Sequence, residues 1–153
     1  MGDDQHQRLA VGARCDGLRA CVALGYNGHQ PGAGMTLLEH CRKWIEDALE
    51  YSGGSHDFQD VVDGILAGRM QLWPAEKGCA VTEIVIYPKK SVLHVFLAGG
   101  EMETIINMID SAVAWGKTQG CTSMTIAGRR GWERVLAKHG YKPVMTVLER
   151  DFE

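Results

Sequence analysis

Apolar positions along the chain fall into alternating periods, and the most informative run lies between Ser91 and Tyr141. It opens with an apolar stretch, Val92-Leu93-His94-Val95-Phe96-Leu97, that breaks at Ala98-Gly99-Gly100. A helical stripe follows with Met102, Ile105, Ile106, Ile109, Val113 and Gly116 on one side. A short strand, Met124-Thr125-Ile126-Ala127, leads into a glycine-flanked arginine pair and a second helical segment that ends at Gly140. The pattern predicts a β-α-β-α core in which a helix N-terminus faces the end of a strand. Free backbone N–H groups at such a helix start can hold an anion, often a phosphate.

Upstream, Leu37, Leu38, Cys41, Trp44, Ile45, Ala48 and Leu49 form the stripe of a helix from about Leu37 to Tyr51, with Thr36 and Glu39 as its capping box and Ser52-Gly53-Gly54 as its stop. Ser55 or Asp57 caps a shorter helix carrying Phe58, Val61, Val62, Ile65 and Leu66, closed by Gly68. Met70 to Trp73 reads as a strand ending at Pro74, and Cys79 to Tyr87 as a β-branched central strand. Pro88-Lys89-Lys90 turns into the apolar run, so the three strands form an antiparallel meander. Tyr141 to Phe152, with Val144, Met145, Val147 and Leu148, is expected to be a last strand. The order from residue 35 is α-α-β-β-β-α-β-α-β.

Residues 1–34 differ. They hold 7 of the 19 glycines and one apolar patch, Ala20 to Leu24, which reads as a disordered or loosely attached leader before a domain over 35–153. A helix starting directly after Met35 suggests that translation can begin there. Failure of a protein truncated to Met35 to fold would refute that.

Composition narrows the function. A formal charge of −3 gives no basic face for nucleic acid. No apolar run approaches the ~20 residues of a membrane span, and no signal-peptide order is evident. Five cysteines, Cys15, Cys21, Cys41, Cys79 and Cys121, lack C-x-x-C spacing, which argues against a disulfide framework and a structural zinc site. Cys79 and Cys121 read as buried and inert. His40, His56 and Asp57 have no metal spacing. A cytoplasmic setting fits.

The element order, together with Gly128-Arg129-Arg130-Gly131-Trp132-Glu133-Arg134-Val135-Leu136-Ala137-Lys138-His139-Gly140-Tyr141, resembles the GNAT superfamily of acyl-CoA-dependent N-acyltransferases over roughly Met35 to Phe152. More narrowly, the chain resembles the small GNAT-like proteins of tailed phages, some of them virion-associated. The resemblance implies an α+β fold, a three-layer arrangement with a mostly antiparallel mixed sheet flanked by helices. It also implies acyl-CoA (acetyl-CoA among others) entering a gap between splayed strands, with its pyrophosphate at the following helix start. On that basis Leu97, Ala98, Gly99 and Gly100 would line the donor site, and Arg129 and Arg130 would reach the nucleotide phosphates. The plain alternative for the arginines is a solvated turn. Glu83 and His94, on adjacent strands, are the candidates for the base that deprotonates an amine. Their neighbourhood depends on hairpin register. The plain alternative is a half-buried Glu and a satisfied His.

Two departures count against turnover. Ala98-Gly99-Gly100-Glu101-Met102-Glu103 lacks the family's basic or amide lead residue and puts Glu101 and Glu103 where pyrophosphate should lie, although such carboxylates also stabilise a helix start by about 0.3–1 kcal/mol each. Leu136 stands where many members carry the Tyr that protonates the leaving thiolate. These departures tilt the reading toward a non-catalytic GNAT-like structural or interaction protein of tailed-phage type, virion-associated or in the host cytoplasm. Its partners would be phage structural proteins, or itself through a sheet edge, with no cofactor. The alternative is an acyl-CoA N-acyltransferase working by direct transfer to an amine. The family's first strand is missing after Met35, so the Ala20 to Leu24 patch or another chain would cover that edge.

Overall fold

A computed structural model describes residues 37–128 and 130–152. Expectations about residues 1–34, the Thr36 cap and Arg129 lie outside the described residues.

Helix α1 (Leu37–Leu49) buries Cys41, Ile45 and Leu49, one face at helical spacing. Helix α2 (Phe58–Leu66) begins at Asp57. The Asp57 carboxylate accepts from the Asp60 N–H at 2.9 Å, and Asp60 Oδ2 accepts from the Asp57 N–H at 2.9 Å, a reciprocal capping box. Gly68, at φ +77, follows its end as expected.

Three strands then form an antiparallel meander: β1 (Met70–Ala75), β2 (Gly78–Tyr87) and β3 (Lys90–Gly100). Two boundaries depart from the sequence reading. β1 runs through Pro74, which pairs with Cys79; β1 lies at one end of the described sheet, where a missing N–H breaks no ladder. β3 continues through the expected break at Ala98-Gly99-Gly100, because these residues pair with Ala80, Cys79 and Gly78. Helix α3 (Met102–Thr118) crosses over to β4 (Ser123–Ile126), which lies parallel to β3, and α4 (Arg130–Ala137) follows. The strand order β1-β2-β3-β4 makes a mixed, mostly antiparallel sheet.

Side-chain alternation divides the core between the two faces of this sheet. On one, Cys41, Ile45, Val61 and Ile65 of α1 and α2 meet Met70, Leu72, Cys79, Val81 and Leu97. On the other, α3 brings Ala112, Met108 and Trp115 against Trp73, Ala80 and Leu93. A buried chain of hydrogen bonds ties β1 to β2: Trp73 Nε1 donates to Thr82 Oγ1 at 2.8 Å, and Thr82 donates to Gln71 Oε1 at 2.9 Å. Among the described residues no buried side-chain nitrogen or oxygen lacks a partner, as burial demands.

The expected last strand is absent. Residues 141–152 carry no secondary structure. Their apolar side chains come in adjacent pairs, Val144-Met145 and Val147-Leu148, rather than alternating, so a strand with one buried face would leave half of them in water. The β4 edge they would join is only four residues long. Met102, expected on the buried stripe of α3, is exposed instead, and Ala112 takes a core position beside Ile105 and Gly116. Among the described residues no helix is long and apolar enough to cross a membrane.

Candidate functional site

The β2–β3 ladder shifts register between Val81, opposite Leu97, and Thr82, opposite Val95. Phe96 is the extra residue of a β-bulge, and bulges bend a strand and re-aim its side chains. β4 pairs with β3 only from Val92 to Val95. β4 ends at Ile126, opposite Val95, so beyond the bulge β3 runs on, among the described residues, without a strand partner on that side, and a cavity of ≈ 580 Å³ opens there. Its wall includes His94, Leu97 and Ala98 of β3, Ile126 at the end of β4, and Ala127 and Gly128 just after it.

The register brings the two candidate bases together. Glu83 lies directly opposite His94, which in turn lies opposite Thr125. Alternation from Val81 puts Glu83 on the face covered by α1 and α2. His94 Nδ1 is hydrogen-bonded to Thr125 Oγ1 at 2.9 Å. Among the described residues no hydrogen bond engages its Nε2. Burial pushes the His94 imidazole below its ordinary pKa, and the nearby Glu83 carboxylate partly opposes that shift. The ring is therefore neutral at physiological pH, the form that accepts a proton.

The glycines of the β3–α3 turn serve the protein's own packing. A side chain on Gly99 would meet the Trp44 carbonyl oxygen at 2.8 Å, and one on Gly100, at φ +107, would collide with Gly78 Cα and the Lys77 carbonyl. Both glycines nevertheless line a second cavity of ≈ 410 Å³, which shares Ala48, Tyr51, Ala98, Ile105 and Trp132 with the first and is also bordered by Trp44, Asp47 and Glu50. α3 begins here. Ile105 N–H donates to the Glu101 carbonyl at 3.1 Å, so amides of the first turn stay without an intrahelical acceptor. Glu101 makes no side-chain cap; its carboxylate lies 3.9 Å from Lys77 Nζ, and both side chains are well exposed. Part of the acidic loop's charge is thus answered by the β1–β2 turn.

Other candidates sit apart. Arg130 is an exposed residue at the start of α4 and lines neither cavity. Leu136 is buried at 4% exposure and serves packing. Tyr141 is half-buried, and its hydroxyl meets Met124 Sδ at 2.9 Å; burial, with Asp110 adding to it, raises its pKa. Cys41, Cys79 and Cys121 are buried free thiols. Contact with Cys41, then burial, pushes the Cys79 thiol up, so it stays protonated and unreactive. No group of three or more potential metal ligands forms among the described residues.

The sequence reading did not find Thr125, Ser52, Ser55 or Trp132, all of which touch His94 or line its cavity. Thr125 reaches His94 through a parallel pairing separated by the whole of α3, and no local pattern encodes that register.

No family profile matches the sequence, and no curated protein matches it. Solved structures do match. A Trypanosoma brucei acetyltransferase superposes with a TM-score of 0.55 at 10% identity, over 75% of this chain and 94% of that one. AAC(6')-Iy, solved in complex with the bisubstrate analog CoA-S-monomethyl-acetylneamine, gives 0.58 at 17% identity, over 76% and 91%. A "possible acetyltransferase" from Clostridium difficile 630 gives 0.52 at 12% identity, over 78% and 95%. At these identities the likeness is one of fold, and the fold is the α+β architecture of GNAT N-acetyltransferases.

Proposed function

We propose that this chain is an acyl-CoA-dependent N-acyltransferase that transfers the acyl group directly to an amine. The observation that carries the reading is the open cavity between β3 past its bulge and the chain leaving β4 at Ile126, with a neutral histidine in its wall. Past Val95, the β3 backbone facing β4 has no strand partner, so its amides and carbonyls are free to pair with an extended amide-bearing arm. An acyl-CoA supplies such an arm through its pantetheine. The apolar wall formed by Leu97, Ala98, Ile126 and Ala127 suits its methylenes.

In the reaction the amine nitrogen attacks the thioester carbonyl carbon, and His94 Nε2 takes the proton that the nitrogen loses. The C–S bond breaks as the carbonyl re-forms. Leu136 offers no proton to the departing thiolate, so His94, now imidazolium, returns the one it took. Glu83 stabilises that imidazolium from the neighbouring strand. A single residue carries the proton from nucleophile to leaving group.

The non-catalytic reading rested on Leu136 and on the acidic loop. The loop's Glu101 turns toward Lys77 at an exposed surface, where water and salt screen what charge remains. The tailed-phage, virion-associated setting finds no support among the structural neighbours described above.

The test is calorimetric titration with acetyl-CoA, repeated on a Glu101→Gln, Glu103→Gln double variant. Binding by the unmodified protein, tightened in the double variant, is the expected result. Binding by neither protein would overturn the proposal and return the scaffold itself to consideration.

A further inference from the structure

The second cavity is walled unlike the first. Trp44 of α1, Tyr51 just after it, Trp132 of α4 and Met102 at the start of α3 surround its ≈ 410 Å³. Tyr51 is 64% exposed and Met102 38%, so two large apolar side chains stand in water at the edge of a hollow. Apolar surface left open in a concave place suits a ligand. Along β3 the wall is Ala98-Gly99-Gly100, backbone carrying nothing larger than a methyl group. Aromatic rings and a thioether beside such a wall suit a flat ring that stacks on them.

The polar side chains of this wall add a second demand. Asp47 and Glu50 are its carboxylates, and among the described residues no hydrogen bond or ion pair engages either. Carboxylates accept hydrogen bonds. The ring that fits is therefore one bearing N–H donors. Position supplies such a ring. From Val95, where β4 stops pairing, to Gly100 is roughly 17 Å of strand. An extended pantetheine has about that reach, so an arm lying along β3 brings its nucleotide end out beside Gly99 and Gly100, into this cavity.

We infer that the second cavity seats the donor's adenine base, stacked among Trp44, Tyr51 and Trp132, with its exocyclic amino group donating to Asp47 or Glu50. The amino group of adenine is a donor that a carboxylate accepts. This seat presupposes the acyl-CoA donor proposed above and names how its far end is held. The base, rather than a phosphate cradle, anchors the nucleotide. The phosphates between arm and base stay in solvent, clear of Glu101 and Glu103.

The experiment titrates acetyl-CoA, S-acetylpantetheine, adenosine and purine riboside (adenosine without its amino group) into the full chain, read by tryptophan fluorescence and calorimetry. Adenosine should bind saturably, quench the indoles and compete with acetyl-CoA. Acetyl-CoA should bind about tenfold or more tightly than S-acetylpantetheine. Purine riboside should bind about tenfold more weakly than adenosine, a gap that an Asp47→Ala, Glu50→Ala variant closes. Tyr51→Ala should weaken adenosine about tenfold. All three positions are exposed, so the variants fold, which circular dichroism checks. Acetyl-CoA bound no more tightly than S-acetylpantetheine, with adenosine unbound, would overturn the inference and leave the acyltransferase reading standing. Adenosine indifferent to the variants or to acetyl-CoA would overturn it by placing the base elsewhere, and 1,4-diaminobutane quenching in adenosine's stead would give the carboxylates to a cation. Adenosine bound as expected, with S-acetylpantetheine unbound and acetyl-CoA no tighter than adenosine, would uphold the base seat, assign it to a free adenine nucleotide and remove the acyltransferase reading.

Discussion

The two halves of the domain are built to different standards. From α1 to β3, side chains interlock: Cys41, Ile45 and Val61 are inaccessible, Trp73 and Thr82 are locked in a hydrogen-bonded chain, and β2 is paired on both edges. From β4 to the terminus, burial is mostly partial. β4 has four residues and one partner, α4 buries only Leu136, and residues 142–152 are exposed. A tightly packed first half holds His94, and a loosely packed second half leaves the cavity open, where the proposed function places an acyl-CoA arm. Catalytic groups work best on rigid elements, and clefts form where packing stops.

Truncating the dense half should have the largest effect. Trp73→Ala removes a buried indole and leaves Thr82 without a donor, so about 3–5 kcal/mol of stability should be lost, a large part of what a domain this size possesses. The half-buried Trp132 in the open half should cost well under half as much when changed to alanine. Urea denaturation of both variants measures the contrast; equal losses would mean the second half is as tightly packed as the first.

Next comes the chemistry held at the seam. His94→Gln should lower kcat/KM for acyl transfer by about 10²–10⁴-fold while moving the melting temperature little, because the ring is only half-buried. A variant equally active would remove His94 from the mechanism. Gly100→Ala tests the scaffold's reach into the site. Positive φ costs about 1–2 kcal/mol for alanine, and collision with Gly78 and Lys77 about 1–3 more. Gly120→Ala, at φ +83 with open space around it, should carry only the first cost. Thermal melts of the pair separate the backbone strain from the collision.

How far each half can be read from sequence follows the same division. Local chemistry encodes the first half: the Asp57 cap, the Gly68 stop and the Pro88-Lys89 turn fix where elements begin and end, and the turn also fixes Glu83 opposite His94. Two details escaped because tertiary position overrides propensity. Pro74 stays in its strand at an end of the sheet, and the β3 glycines stay in theirs because Trp44 and Gly78 press against them. The second half depends on contacts distant in sequence. The His94–Thr125 bond comes from a crossover register, and the bulge at Phe96 is a property of the β2–β3 pairing rather than of either strand. The terminal segment has the apolar content of a strand without its alternation, so content alone misassigned it.

The smallest predicted effect asks whether the dense half tunes the group it holds. Burial lowers the His94 pKa below its ordinary 6.5, and Glu83 pulls it partly back. In the proposed mechanism His94 acts as a base only when neutral, so kcat/KM should rise with pH through a midpoint below 6.5 and then level off. Glu83→Gln removes the opposing carboxylate, leaving burial alone, and the midpoint should move to lower pH. Stability follows with a defined sign. Because the folded pKa lies below the unfolded one, the neutral ring's contribution is complete above the unfolded value and is lost as pH falls toward the folded value. In the Gln variant that loss extends further into acid. A midpoint unchanged by the substitution would mean that water, not the neighbouring strand, sets the charge on His94, and the dense half would then position the base without tuning it.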